Sequence, residues 1–126
     1  MDFAFAFDDE AGQVTIALSG TPTPFDFRRL TNELIDDPRF RRNLLHLVDC
    51  SLLEVIDNEE VIFDEMEPLA ERDWEFPPRA VAIVAPGSMF NRALLARAHL
   101  GGSLLNRRVF DDPQDAQVWL SQQRQT

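Results

Sequence analysis

The sequence predicts a single α/β domain built on a mainly parallel five-stranded sheet, in the order ββαβαβαβα, with an antiparallel first strand. Three observations carry this prediction. The N-terminal residues alternate with a period of two, the runs Leu44–Val48 and Ala80–Ala85 are apolar on both faces, and segments of helical spacing stand between the strands. Alternating strands and helices imply parallel pairing through right-handed crossovers.

Phe3, Phe5 and Phe7 alternate with Ala4 and Ala6, placing three rings on one face of a strand. Residues 8–13 read as a turn and Val14–Leu18 as the returning strand, which completes a hairpin with its first strand at or near a sheet edge. Thr23 as N-cap, Pro24 in the first turn and Asp26 at the third position open a helix over residues 24–36, whose apolar stripe is Phe27, Leu30 and Leu34 and which stops before Pro38.

The run Leu44–Val48 suits a buried central strand. Asp57 or Asn58 caps a second helix with Ile62, Met66 and Leu69 inside and Pro68 as a kink. Trp74–Pro78 reads as a connector anchored by Trp74 and Phe76, and Ala80–Ala85 as another buried strand. Pro86-Gly87-Ser88 opens a third helix carrying Phe90, Leu94 and Ala98, which ends at Gly101-Gly102. Arg107–Phe110 is a short last strand, and Asp112-Pro113 caps a fourth helix that docks through Ala116, Trp119 and Leu120. The domain is expected over residues 1–120, with residues 121–126 as a flexible tail.

With 126 residues, 44% of them hydrophobic, and ten Phe, the chain can bury one complete core. The formal net charge is −10, and all twelve basic residues are arginine. A field of that sign repels phosphate backbones and anionic lipid, so nucleic acid is not an expected partner. No apolar run nears the ~20 residues of a membrane span, and residues 1–8 lack the features of a secretory signal. The single cysteine, Cys50, fits a reducing compartment. The expectation is a cytoplasmic protein.

Catalytic chemistry finds little support in the residue pattern. Gly20, Gly87 and Gly101-Gly102 lack the spacing of a phosphate-binding loop, and no cofactor is expected. His46, within an apolar strand, reads as a buried histidine satisfied by a hydrogen bond, and His99 as a cation opposing a helix C-terminus. On one strand Cys50 would stand ~13 Å from His46, too far for direct activation. The carboxylates between Asp57 and Asp73 form a solvated helix face, with no metal site expected. The chain is expected not to be an enzyme.

Topology locates candidates where residue chemistry does not. Ligands of open α/β sheets favour the carboxyl ends of parallel strands, where Asp49-Cys50-Ser51, Pro86-Gly87-Ser88 and Asp111-Asp112 fall. Gly87 and Ser88 can offer backbone N–H groups to an anion, or Ser88 can simply cap its helix.

Leu47-Val48-Asp49-Cys50-Ser51 and its continuation through Val61 resemble the strand, loop and helix start of the STAS superfamily, named for sulphate transporters and anti-sigma-factor antagonists. Val109–Leu120 is similar to the last strand and helix of its SpoIIAA-like branch, where a Phe, a capping Asp, an Ala and a Trp-Leu pair recur. The resemblance implies a STAS/SpoIIAA-like fold and a regulatory, protein-binding role. It sets Asp57 on the family's Asp, Asn58 on its first Ser, Glu59 on the Ser that is phosphorylated and Glu60 on its Gly. The acceptor hydroxyl is missing, so the family's phosphorylation switch at that serine is not expected. Glu59 either mimics phosphate charge or stabilises a helix start.

The leading expectation is a noncatalytic interaction module whose protein partner meets the loop from Asp49 to Asn58, with Asp49, Ser51, Asp57, Asn58, Glu59, Gly87 and Ser88 as candidate contacts. The alternative is a SEC14-like carrier or sensor of a small apolar or anionic ligand. The Phe-bearing edge strand also allows a homodimer.

Overall fold

The computed structural model describes residues 1–21, 26–54 (Phe27 by its backbone only), 79–85, 87 and 106–124. Its elements are β1 (Asp2–Asp8), β2 (Gln13–Gly20), α1 (Asp26–Asp36), β3 (Leu45–Leu53), β4 (Ala80–Val84), β5 (Arg107–Phe110) and α2 (Pro113–Arg124). The expected second and third helices, with Ile62, Met66, Leu69, Phe90, Leu94, Ala98 and His99, lie outside the described residues. So do Thr23, Pro24, Trp74 and Gly101-Gly102.

Alternation in β1 has the consequence read from its sequence. Phe3, Phe5 and Phe7 turn to one face, while Asp2, Ala4, Ala6 and Asp8 are exposed on the other. β1 pairs antiparallel with β2 from Asp2↔Ser19 to Asp8↔Gln13. β2, β3, β4 and β5 are all parallel, and the sheet order follows the chain, with β1 at one edge and β5 at the other.

Two layers sandwich the sheet. Val14, Ile16 and Leu18 of β2 pack with Leu30 and Leu34 of α1, and the Phe rings of β1 extend this cluster. The guanidinium of Arg29 lies over Phe3 at 4.6 Å and that of Arg39 over Phe7 at 4.5 Å, so arginine covers the outer rings without burying a charge. Asp37 accepts from the Arg39 backbone and guanidinium, which holds its carboxyl below the ordinary value. Asp26, the expected first-turn acid, is buried and pairs with the N-terminal ammonium at 3.2 Å, tying the start of β1 to α1.

The opposite layer is α2. Its Ala116 and Leu120 are fully buried against Leu45, Leu47, Ala80, Ala82 and Val84, and Trp119 packs on Phe110 with ring centroids 5.7 Å apart. Full burial of a leucine such as Leu120 contributes ~2 kcal/mol of transfer free energy. Asp112 caps the helix through its carboxylate to the Gln114 N–H at 2.7 Å. α2 continues to Arg124, into the segment expected as a tail: Gln123 accepts from Asn106 at 2.6 Å and Ser121 donates to the Gln117 carbonyl.

α2 meets β3, β4 and β5. It reaches β2 through a reciprocal amide pair, Gln13 Nε2 to Gln117 Oε1 at 3.1 Å and Gln117 Nε2 to Gln13 Oε1 at 3.0 Å. Beyond that pair no described residue covers the α2 side of β1 and β2, where Ala4, Ala6 and Ala17 are exposed.

Candidate functional site

β3 is longer than its apolar run. The strand was expected to end at Val48 with Asp49-Cys50-Ser51 as a loop; instead it runs to Leu53, because β2 also extends past Leu18 and offers Ser19 and Gly20 as partners. Ala17 pairs with Asp49 and Ser19 with Leu52, so Cys50 and Ser51 together stand opposite Leu18. This is a β-bulge, and its extra residue reverses the facing of everything after it. Leu53 consequently turns in toward the α1 layer, whereas Leu52 turns out and is 73% exposed.

Asp49 secures the bulge. Its Oδ1 accepts the Ser51 backbone N–H at 2.9 Å and the Ser51 hydroxyl at 2.5 Å. Downstream, the Glu54 N–H donates to the Gly20 carbonyl at 2.9 Å and the Glu54 carboxylate accepts from Thr21. Gly20 has φ +83°, in the region that glycine adopts without strain. The carboxyl ends of β2 and β3 are thus held together as one ledge.

Asp49 and Ser51, two of the sequence-selected residues, meet on this ledge. Gly87 is exposed at φ +63° and lies three residues past Val84, which pairs with Asp49. Asp57, Asn58, Glu59 and Ser88 lie outside the described residues. Sequence reasoning missed Leu52, since uninterrupted alternation from Leu45 puts it on the same side as Val48 and Cys50.

Among the described residues, the two groups best suited to nucleophile or base chemistry are disarmed by burial. The Cys50 thiol packs between the β2 and β4 sides of the core, where burial, reinforced by the Asp49 carboxylate, pushes it up to about 12. His46 is 9% exposed, and burial, helped by the Arg107 cation, lowers it to about 4. Its Nε2 has no hydrogen-bond partner among the described residues, contrary to the expected satisfied histidine; its ring instead meets Phe40 edge-on at 6.3 Å. Both groups are neutral near pH 7. Among the described residues no three His, Cys, Asp or Glu side chains group as a metal site, and no helix is long and apolar enough to cross a membrane.

No family model and no curated protein matches the chain. Among solved structures, an uncharacterized protein of the DUF3478 family with a SpoIIAA-like fold, from Shewanella loihica PV-4, superposes with a TM-score of 0.63. The match covers 94% of this chain and 92% of that one at 18% sequence identity. A likeness at that identity speaks to fold. The antiparallel hairpin and the parallel β2 to β5 are what the residue pattern predicts, β5 followed by α2 is what the resemblance of Val109–Leu120 implied, and the domain has a SpoIIAA-like fold.

Proposed function

We propose that this chain is a noncatalytic, regulatory protein-interaction module that meets its partner at the ledge formed by Asp49, Ser51, Leu52 and Glu54. The observation that carries this reading is Leu52, a large apolar side chain held out in water at 73% exposure by a strand on which its neighbour Leu53 turns inward. An exposed leucine alone is ordinary. Here it is flanked by the exposed Ser51 and Glu54 and the half-buried Asp49, an apolar centre with a polar, acidic rim, which is the build of a partner-binding patch.

The noncatalytic part is supported by the protonation states of His46 and Cys50, which near pH 7 make the one a poor base and leave the other a thiol. With Glu59 at the position of the family's phosphorylated serine, the module is read as not switched there. Its lone cysteine, a free thiol, fits a cytoplasmic setting.

The test compares wild type with Leu52→Arg and Asp49→Asn in co-purification from the native host at low and high salt. The expected result is a partner that is lost with Leu52→Arg and weakened by salt, since acidic rims contribute screened attraction. A partner retained equally by all three proteins overturns the assignment to this ledge.

A further inference from the structure

Among the described residues, the side of the sheet that carries α2 is covered over only part of its width. Registers place Asp2, Ser19 and Leu52 in one row across β1, β2 and β3, Ala4, Ala17 and Asp49 in the next, and Ala6, Thr15 and Leu47 in the third. Leu47 lies under α2, while Ala4, Ala6, Ala17 and Leu52 are exposed. Outward positions of a water-facing strand usually carry longer polar or β-branched residues, and alanine is depleted in strands. Three exposed alanines make this face flat and low, with Leu52 standing at one end.

Over β1 to β3 the described charges of this face have one sign, while Arg108 stands at the far edge on β5. Asp2 and Asp8 close the two ends of the β1 row, and Asp49 and Glu54 stand beside Leu52. Dimensions select a shape. Two strands ~4.8 Å apart leave room for one helix ~10 Å wide, and strands of seven and eight residues match a helix of ~15 residues.

We propose that the open half of this face seats a basic amphipathic helix of the partner, lying beside α2, with its apolar stripe on Ala4, Ala6, Ala17 and Leu52 and its arginines or lysines toward Asp2, Asp8, Asp49 and Glu54. The proposal rests on the interaction-module reading and extends it from the Leu52 ledge to the sheet. A second copy of this chain laid face to face would oppose acid to acid. A strand added to the free edge of β1 would leave the alanines uncovered.

The probe is a synthetic helical peptide of about 15 residues, with leucines at i, i+3, i+4 and i+7 and arginines flanking them, beside a peptide of the same composition in scrambled order. Each is titrated into the isotopically labelled full chain and into Ala17→Arg, an exposed substitution that removes no packing. The expected result is amide shifts at Ala4, Ala6, Ala17 and Leu52 with the ordered peptide, and binding weaker by about tenfold or more with the scrambled peptide or with Ala17→Arg. Shifts confined to residues 51–54 overturn the helix seat and leave the ledge reading intact. Shifts along β1 with Ala17 unmoved indicate strand addition, and sedimentation as a dimer that Ala17→Arg dissociates indicates a second copy; either overturns the proposal, as does the absence of any shift.

Discussion

A single oxygen of Asp49 holds both the backbone N–H and the hydroxyl of Ser51, at 2.9 and 2.5 Å. The pair straddles Cys50 and closes the bulge that turns Leu52 outward. A carboxylate acceptor strengthens both bonds relative to a neutral one. Replacing Asp49 with alanine is expected to cost about 1 kcal/mol in urea unfolding and to speed hydrogen exchange at the Ser51 amide. Asp49→Asn, which keeps an acceptor oxygen, should cost less than half as much.

The bulge also marks where the sequence stops being sufficient. The alternation of Phe3, Phe5 and Phe7, the apolar run of β4 and the Asp112-Pro113 cap are local signals, and each element follows from a few adjacent residues. The extension of β3 past Val48 depends on Ser19 and Gly20 of another strand, and a one-residue insertion reverses facing without any local mark. Asp49 and Ser51 were therefore legible as a strand-end pair, whereas the outward turn of Leu52 was not. His46 was legible as buried because its neighbours are apolar; that its Nε2 meets no partner among the described residues depends on side chains distant in sequence.

His46 should make the fold acid-sensitive. Its folded value of about 4 lies below the ordinary 6.5, so the unfolded chain binds the proton more readily. The neutral ring contributes its full stability above pH 6.5, loses it as pH falls through that window, and has none left below about 4. The shift corresponds to at most about 3 kcal/mol. Urea midpoints of wild type and His46→Leu should diverge between pH 7 and pH 4, with the variant losing less; parallel profiles would contradict the neutral, buried ring.

Cys50 should behave as core. With its thiol pushed up to about 12, the native protein should resist a thiol-specific disulfide reagent at pH 8 and react promptly in denaturant. Fast native labelling would show that the bulge opens readily.

The Gln13–Gln117 amide pair anchors α2 to a strand that the helix otherwise leaves open. Gln13 is only 7% exposed, so Gln117→Ala removes the donor to its Oε1, leaves its Nε2 with the Thr15 hydroxyl at 3.3 Å, and should cost on the order of 1 to 2 kcal/mol. The double substitution Gln13→Leu with Gln117→Leu removes both polar partners and should recover most of that loss. Additive losses in a thermal-unfolding double-mutant cycle would show that the two amides act separately.

The most direct test of the central claim is site-specific photocrosslinking in the native host, with the crosslinker at position 52 and, as a control, at position 33 on the exposed side of α1. A discrete protein adduct is expected from position 52, absent from position 33 and lost when Asp49 and Glu54 are both made neutral. The same adducts from both positions, or none from position 52, would contradict it.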